Sequence, residues 1–318
     1  MASFDPPSKI LIFGGTGKIG AYITEALLSA SPPFPHVALF TSEETARSKA
    51  ALLSGWESRG LSVIKGDVTD KAQVQAAYAT GVDAVVSALG RNVLLHQTDL
   101  IRWAEEQEGG SVRWFFPSEY GTDIEYGPSS AGERPHQNKL AVRRFIKDEV
   151  RRLKNTFLVT GPYAEMYLNL IPGVPEGGGF DVKGKKAVLL EDGNGKVGVG
   201  KGVVAALRHP EAALDKVLKI QSFVVTPREI LAAFEKHTGG EPWAVEYVPL
   251  DKLRAVEEQL WKDGNPIATG PTLRRIWGEG STLYEKTDNE AIGLRGEDLE
   301  SLDDVVRSAV EESRGARQ

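Results

Sequence analysis

Residues 9–35 pass from a short apolar run, through regularly placed glycines, into a helical pattern. The run is KILIF, from Lys9 to Phe13, and it is typical of a strand buried on both faces of a parallel sheet. Glycines follow at positions 14, 17 and 20, and apolar residues then recur at helical spacing until the SPPFP segment ends the helix. A strand, a glycine turn and a helix in this order predict the start of a doubly wound α/β fold.

Apolar runs and amphipathic stretches continue to alternate as far as residue 162. The apolar runs end at Phe40, Asp67, Gly90, Gly121 and Pro162. The stretches between them predict helices over 43–56, to residue 78, to residue 103 and over 139–154. Short strands that alternate with helices form parallel sheets with right-handed crossovers. The sequence therefore predicts an α/β fold with a doubly wound, Rossmann-like parallel sheet.

The pattern changes after Pro162. Two glycine-rich segments follow, 173–180 and 191–200, and the helices predicted over 226–238 and 250–262 have no regular strand partners. A last helix near 302–313 is polar enough to lie at the surface. We therefore expect a first domain over 1–162 and a smaller C-terminal lobe over 163–318, of which some segments return to the first domain.

Composition excludes several classes of protein. The formal net charge is −6, so binding to nucleic acid would need a local basic patch. The one basic run is interleaved with acids and is predicted to be a solvated helix face; it contains Arg143, Arg144, Lys147, Arg151, Arg152 and Lys154. The chain has no cysteine, and its five histidines lack close spacing. We therefore expect no disulfide and no metal site.

The chain also lacks the patterns of membrane and secreted proteins. No apolar run approaches the roughly 20 residues that a bilayer-spanning helix needs. The first nine residues, MASFDPPSK, lack the basic and apolar regions of a signal peptide. We expect a cytoplasmic protein that binds a small molecule, with no nucleic-acid or membrane partner, and we leave its oligomeric state open.

The glycine turn GGTGKIG, at 14–20, joins the first strand to the first helix. Gly14 permits a tight turn, Gly17 lets backbone approach a pyrophosphate, and Gly20 permits close packing of the helix on the strand. Free N–H groups at the helix N-terminus favour an anion. We therefore predict that this turn binds a dinucleotide through Gly14, Thr16, Gly17, Lys18, Ile19 and Gly20.

The choice between NADP and NAD depends on the end of the second strand. An acid there binds the ribose hydroxyls of NAD, whereas an arginine binds the 2′-phosphate of NADP. This chain has Thr41 and Ser42 at that place, with Arg47 and Lys49 close behind. Hydroxyls and cations favour a phosphate, so we expect NADP. The neighbouring acids at 43 and 44 keep NAD possible, and the two cations also suit an exposed helix surface.

Further candidate cofactor residues end the third and fourth strands. Asp67 is placed to accept a hydrogen bond from the adenine amino group, or to cap the helix that follows. Ala88, Leu89 and Gly90 end the fourth strand, where small residues let the backbone lie against a ribose. Both assignments depend on position in the predicted sheet.

The acid–base group is predicted by elimination and position. The Tyr-x-x-x-Lys pair of many short-chain dehydrogenases is missing from the expected helix. Lys139 opens the helix that follows the FPSEYG strand end, and its side chain is expected to point into the crevice. His136 lies one helical turn before it and is expected either to bind substrate or to have a structural role.

Three residues that follow the fifth strand also face the predicted crevice. Ser118 is expected near the cofactor, and Glu119 and Tyr120 near the substrate. Glu119 is a candidate second proton carrier or helix-orienting carboxylate; a salt bridge with a nearby arginine is the competing interpretation, and we favour it.

The chain resembles the isoflavone reductase-like and NmrA-like family of atypical short-chain dehydrogenases, which includes phenylcoumaran benzylic ether and pinoresinol-lariciresinol reductases. Six segments occur in the family's order: GGTGKIG, KGDVTD, VVSALG, RWFFPSEYGTD, KLAVRRFI and EDGNGK. The resemblance implies a reductase that uses NADPH, with Lys139 as general acid or base and as cofactor anchor. The family usually has an arginine where this chain has Thr41, so NAD stays possible.

The resemblance also places a substrate pocket after the sixth strand. Pro162 ends that strand on the cofactor side. Tyr163, Met166 and Tyr167 fall where the family's pocket helix begins, so they are candidates to stack on an aromatic ring. Packing between the two lobes is the other interpretation of these side chains.

Three functions remain open from the sequence. The first is an NAD(P)H-dependent reductase of a small, aromatic or phenolic metabolite, with Lys139 managing the proton. The second is an NmrA-like regulator that senses the dinucleotide without catalysis. The third is a redox-neutral isomerase or dehydratase on the same fold.

Overall fold

The computed structural model describes residues 4–107, 109–194, 197–199 and 202–315. In its first half, strands and helices alternate along the chain. They are β1 (Lys9–Phe13), α1 (Lys18–Leu28), β2 (His36–Thr41), α2 (Glu43–Ser48), α3 (Ala50–Glu57), β3 (Leu61–Lys65), α4 (Lys71–Tyr78), β4 (Ala84–Ser87), α5 (His96–Glu106), β5 (Trp114–Phe116), α6 (Gln137–Glu149) and β6 (Lys154–Val159).

The second half mixes short strands with helices. Its elements are α7 (Ala164–Leu168), β7 (Gly179–Asp181), β8 (Lys186–Leu190), β9 (Val197–Val199), α8 (Val203–Arg208), α9 (Pro210–Ala213), β10 (Lys216–Lys219), β11 (Phe223–Val225), α10 (Pro227–His237), β12 (Ala244–Val248), α11 (Leu250–Lys262), α12 (Thr269–Gly278) and α13 (Leu302–Gly315). The glycine-rich motif over 191–196 is described only to Asn194, and its last two residues lie outside the described ranges.

A parallel sheet is the centre of the molecule. Within the described residues it has seven strands in the order β10-β6-β5-β4-β1-β2-β3. Every pairing in it is parallel. The strand order reverses between β1 and β4, which is the switch point where a doubly wound fold opens a crevice at the carboxyl ends of its strands. The predicted Rossmann-like fold is confirmed.

Strand β1 explains why the sheet is buried on both faces. Ile10 and Ile12 point into one apolar cluster, and Leu11 and Phe13 point into another on the opposite face. All four side chains are almost completely buried. Each contributes about 1.5–3 kcal/mol through removal of apolar surface from water. Because both faces of β1 are covered by apolar clusters, none of these four side chains faces solvent.

The C-terminal half has its own sheet and core. Strand β8 pairs with β7 in antiparallel orientation and with β12 in parallel orientation. Phe180, Phe234 and Trp277 belong to the apolar cluster of this half. The last helix, α13, is amphipathic and not a free surface element, since it buries Val306 and Val310 in the same cluster.

Some of the C-terminal half packs with the first sheet. Strand β10 pairs with β6, and Val203, Ala206 and Leu207 of α8 belong to the same cluster as Ile10. Strand β10 and helix α8 are therefore segments of the C-terminal half that return to the first domain. The division at residue 162 itself stays a prediction.

Two predicted helix boundaries are wrong. The helix expected over 43–56 is two helices, because Lys49 adopts a non-helical backbone (φ −112°, ψ 22°) between α2 and α3. The helix expected to reach Lys154 ends at Glu149, and Lys154 is the first residue of β6. Among the described residues, no helix has the length and apolar character to cross a membrane.

Candidate active site

A cleft of about 970 Å³ opens at the carboxyl ends of the central strands. Its walls come from the loops after β1, β4, β5 and β6, with α6 and α12 at one side. Most of the predicted site residues line it, namely Gly14, Thr16, Gly17, Lys18, Ile19, Ala88, Leu89, Gly90, Ser118, Glu119, Tyr120, His136, Lys139, Pro162, Tyr163 and Met166. Two lines of sequence reasoning, from the glycine turn and from Lys139, therefore meet in one cavity.

The glycine turn forms a cradle that larger side chains would fill. Gly14 has a positive φ of 74°, and a Cβ there would lie 2.6 Å from the carbonyl oxygen of Ala88. A Cβ on Gly20 would overlap the carbonyl oxygen of Gly14. Gly17 N donates to that same oxygen over 3.0 Å and is the N-cap of α1, where it offers no side-chain acceptor. The first N–H groups of α1 are therefore available for an anion.

The residues predicted to distinguish NADP from NAD do not line the cleft. Thr41 is buried at the end of β2, and Ser42 caps α2 by accepting a hydrogen bond from Thr45 N over 3.1 Å. Arg47 and Lys49 are exposed. None of these four residues is part of the cleft lining, and their role toward a 2′-phosphate stays a prediction.

Asp67 also lies outside the cleft lining, and its predicted capping role is wrong. Its carboxylate accepts hydrogen bonds from Thr69, 2.8 Å from the backbone N and 2.7 Å from Oγ1. These bonds lower the pKa of Asp67. Asp70 caps α4, because its side chain accepts from Ala72 N and Gln73 N. Asp67 is exposed in the loop that follows β3. Its contact with an adenine stays a prediction.

Lys139 lies near the start of α6 with its amine at the cleft. The Nζ atom donates a hydrogen bond to the backbone carbonyl oxygen of Glu119 over 2.6 Å. Burial lowers the pKa of Lys139 to about 8; the Glu119 carboxylate opposes this change, and Arg91 and Arg143 add to it. A lysine with a pKa near 8 exchanges protons close to neutral pH, as an acid–base group must.

Glu119 is buried, with only 2% of its side chain exposed, and forms a two-pronged ion pair with Arg143. Arg143 Nε lies 2.8 Å from Oε1 and Nη2 lies 2.7 Å from Oε2. The favoured salt-bridge interpretation of Glu119 is confirmed. The prediction that the basic run is a solvated face is wrong for Arg143, which also bonds Glu125 and lies 4.8 Å above the ring of Phe157.

Three further predicted residues line the same cleft as the amine. Ser118 Oγ donates to the carbonyl oxygen of Leu89 over 3.0 Å, which ties the ends of two neighbouring strands together. His136 is 2% exposed; its Nδ1 lies 3.0 Å from the carbonyl oxygen of Ser130, and burial lowers its pKa. Burial raises the pKa of Tyr120 well above its usual value. At neutral pH both rings are therefore uncharged.

The tyrosines after β6 differ in position. Tyr163 lines the cleft, and its hydroxyl donates to the carbonyl oxygen of Tyr120. Met166 is 42% exposed at the cleft. Tyr167 is buried outside the cleft lining, with its ring 5.9 Å from that of Trp277 and 4.8 Å from the guanidinium of Arg274. Tyr167 therefore packs in the apolar cluster of the C-terminal half, and these contacts lie within one lobe and not between the two.

Sequence reasoning missed the wall that the C-terminal lobe contributes. Trp261, Leu273 and Trp277 line the cleft from α11 and α12. Trp277 Nε1 donates to Thr122 Oγ1 over 2.8 Å, close to Glu119. The two tryptophans in amphipathic helices were the available signal, but a helical aromatic position does not by itself tell a cleft from a core. Arg91, which also lines the cleft, was likewise missed.

The cleft combines an anion cradle with a proton-exchanging amine. No group of three metal-binding side chains is present among the described residues. A glycine turn at the switch point of a doubly wound sheet, in one cleft with a lysine of lowered pKa, is typical of dinucleotide-binding α/β proteins. The model of the NmrA-like family matches residues 6–263, and the chain belongs to this family.

Individual relatives agree with this assignment. An isoflavone reductase homolog from Zea mays is 33% identical over 323 aligned residues, which cover 96% of each chain. A phenylcoumaran benzylic ether reductase from Pyrus communis is 28% identical over 265 residues, 80% of each chain. The solved binary complex of leucoanthocyanidin reductase and NADPH from Vitis vinifera has a TM-score of 0.76 at 18% identity, covering 95% of this chain and 99% of that one. The predicted isoflavone reductase-like resemblance is confirmed.

Proposed function

We propose that this protein is an NAD(P)H-dependent oxidoreductase of the isoflavone reductase-like type, which reduces a small aromatic or phenolic metabolite. One observation carries the proposal: the glycine cradle and the Lys139 amine line the same cleft. The relatives support it, since they include an isoflavone reductase homolog and a phenylcoumaran benzylic ether reductase.

The cradle fits a nicotinamide dinucleotide. Gly14 and Gly20 exclude any Cβ, and the N-terminus of α1 presents N–H groups without a competing acidic side chain in its first turn. Gly14, Thr16, Gly17, Lys18 and Ile19 would hold the pyrophosphate, and Ala88, Leu89, Gly90, Ser118 and Pro162 would contact the riboses and nicotinamide. NADPH supplies a hydride when bound. The structure of a relative with NADPH supports NADP over NAD.

Lys139 is proposed as the general acid of the reduction. Addition of a hydride to a substrate must be balanced by addition of one proton, and the ammonium form of Lys139, whose pKa is lowered to about 8, is a proton donor that lines the cleft. After donating a hydrogen bond to Glu119, the ammonium keeps two N–H groups for a ribose hydroxyl and a substrate oxygen. In the oxidation direction the neutral amine accepts the proton.

The substrate is proposed to lie between Lys139 and the aromatic wall. Tyr163, Met166 and Trp277 line the same cleft as the amine, and so do Tyr120 and His136. Flat aromatic surfaces favour an aromatic ring in stacked or edge contact. Glu119 contributes its carbonyl oxygen, not its carboxylate, because Arg143 occupies both carboxylate oxygens.

The C-terminal lobe, 163–318, is proposed to close over the substrate, and the first domain, 1–162, to hold the cofactor. The cytoplasmic location stays a prediction. No observation in the described residues favours the sensor or the redox-neutral hypothesis, and both are tested by the same experiment.

The test follows the label of a deuterated cofactor into product. The protein is incubated with NADPH that is dideuterated at the nicotinamide C4 and with a panel of phenolic and enone substrates, and products are analysed by mass spectrometry. A reductase places deuterium in the product. A redox-neutral enzyme yields unlabelled product, and a sensor yields none while still binding NADPH in calorimetry; either result overturns the proposal.

A further inference from the structure

Lys139 and Arg143 lie one turn apart on α6, and both bind the same residue of the loop after β5. Lys139 Nζ bonds the Glu119 backbone carbonyl over 2.6 Å, and Arg143 bonds the Glu119 carboxylate over 2.8 and 2.7 Å. We propose that Arg143 is a positioning residue, which holds Glu119 so that its carbonyl oxygen fixes the Lys139 amine in the cleft. The inference rests on the proposed function only for its kinetic consequences.

The ion pair is built to be rigid. The exposed fraction is 2% for the Glu119 side chain and 10% for that of Arg143. Two parallel N–H···O bonds allow one relative orientation of guanidinium and carboxylate. The guanidinium is also held by Glu125 and by the ring of Phe157. Loss of one partner would leave a buried charge unpaired, so the two groups stay together.

The backbone around Glu119 is held on both sides. Ser118 N donates to the side-chain oxygen of Gln97 over 2.6 Å, and Gln97 is itself buried. The carbonyl oxygen of Gly121 accepts from the backbone of Thr160 and Gly161 over 3.0 Å each. The ion pair with Arg143 adds a third restraint, because it holds the Glu119 side chain and so limits displacement of the Glu119 Cα to which the carbonyl is attached.

The charged groups near the Lys139 amine change its pKa, and this pKa can be measured. Four groups act on the charge of Lys139: Arg91 from the turn after β4, Glu119 from the loop after β5, His136 from the turn just before α6, and Arg143 from the middle of α6. Arg91 and Arg143 lower the pKa of Lys139, and Glu119 raises it. His136 is held uncharged by burial, so its contribution is small.

Two substitutions should therefore change the pKa of Lys139 in opposite directions. Arg143→Gln removes a cation and leaves the Glu119 carboxylate unneutralised, so the pKa should rise by roughly 1. Glu119→Gln removes the anion and leaves Arg143 unneutralised, so the pKa should fall. The double variant should return close to the starting value, because both charges are gone.

The experiment measures the amine directly, without turnover. The full-length protein is acetylated with a trace of acetic anhydride across a pH series, and the reaction of Lys139 is quantified by mass spectrometry. The variants are Arg143→Gln, Arg143→Lys, Glu119→Gln and the double variant, with Arg144→Gln as the matched control on the exposed face of α6. Turnover and NADPH affinity are measured on the same preparations.

We expect opposite pKa changes in the two single variants and none in Arg144→Gln. In Arg143→Gln, kcat should fall about 10- to 100-fold, as for a slightly displaced reacting group, with NADPH affinity within about twofold. Arg143→Lys should recover part of kcat. If the Gln variant does not fold, Arg143→Lys and the double variant still give the comparison.

Two results would overturn the inference: pKa changes of the same sign in both single variants, or no change in either. Failure of the proposed function is distinguishable from both. A protein that turns over no substrate but keeps the opposite pKa changes contradicts the reductase proposal and leaves the role of Arg143 toward Lys139 intact.

Discussion

Lys139 Nζ lies 2.6 Å from the carbonyl oxygen of Glu119, a residue 20 positions earlier in the chain. The acceptor is a backbone carbonyl, which has no proton of its own to exchange at neutral pH. The amine is thus oriented without being locked into an ion pair by this bond. Burial then sets its pKa to about 8, between a free lysine and neutral pH.

Replacement of Lys139 by methionine should abolish reduction and spare cofactor binding. We expect kcat to fall at least about 100-fold, the lower range for loss of a general acid. NADPH affinity should fall less than tenfold, because the glycine turn and α1 supply most of the contacts. The measurements are NADPH consumption and calorimetry. A Lys139→Met protein that keeps half its activity would show that another group delivers the proton.

Reduction should lose rate as pH rises above about 8, the pKa of Lys139. The ammonium form is the acid, so activity is constant below this pH and falls tenfold per unit above it. Oxidation of the product should show the opposite dependence, since it needs the neutral amine. The check is kcat/KM measured in both directions from pH 6 to 10. A reduction rate that rises through pH 8 would assign Lys139 as a base.

The free energy of unfolding should also depend on pH through the lowered pKa of Lys139. The pKa of Lys139 is lowered on folding from 10.5 to about 8, so the unfolded state binds more protons between these values. Lys139 therefore destabilises the native state below pH 8, and this destabilisation is relieved as pH rises toward 10.5. We expect Lys139→Met to unfold at higher urea than the parent protein at pH 7. The difference should shrink by pH 10, as measured by urea titration at both pH values.

The glycine turn was predictable because it depends on local order, whereas Lys139 was selected through the family resemblance and not through its local pattern. A strand end, a glycine turn and a helix start are adjacent in sequence, so their geometry follows from the pattern. The pairing of Glu119 with Arg143 was anticipated only as some nearby arginine, because 24 residues separate the two and a loop of irregular backbone lies between them. The error at Asp67 had a local cause, since Asp70 three residues later is the better placed cap.

A return of some C-terminal segments was expected, but the sequence did not identify β10 as the strand that joins the first sheet. Its four residues, Lys216–Lys219, have no glycine or proline signal to mark a strand, and their partner β6 lies about 60 residues earlier. Such a pairing is decided by the space left beside β6 and by the burial of Leu218, which are tertiary quantities.

If the segment after β2 binds the 2′-phosphate, replacement of Arg47 should raise the KM for NADPH and leave the KM for NADH unchanged. Arg47→Gln is expected to raise KM for NADPH about fivefold or more, through loss of a charge-assisted hydrogen bond, and to leave KM for NADH unchanged. Arg102→Gln on α5 is the control for removal of an exposed cation. An equal rise in KM for both cofactors would contradict a specific contact between Arg47 and the phosphate. No change in either KM would mean that Arg47 does not bind the phosphate.

Gly20 and Gly55 offer a matched pair of helical glycines. A Cβ on Gly20 would overlap the carbonyl oxygen of Gly14, whereas nothing lies within 4 Å of a Cβ on Gly55. Gly20→Ala should therefore move α1 away from β1, lower stability by about 1–3 kcal/mol and weaken NADPH binding, as overpacking does. Gly55→Ala should raise stability by about 0.5–1 kcal/mol, because alanine favours a helix interior. Urea unfolding and calorimetry distinguish the two, and equal stability changes would mean that the cradle tolerates a side chain.

Trp277 should connect the cleft wall formed by α12 to the loop after β5. Its Nε1 donates to Thr122 Oγ1 over 2.8 Å, and both side chains are buried. Trp277→Phe keeps an aromatic ring but loses the donor, so the Thr122 hydroxyl is left without this partner at a cost of about 1–2 kcal/mol. The loop after β5 carries Glu119, so we expect KM for the aromatic substrate to rise and NADPH affinity to stay constant. Trp56→Phe, in the core of the first domain and away from the cleft lining, controls for loss of a buried indole. If both variants raise KM equally, the effect of Trp277 is one of general stability and not of the wall it forms.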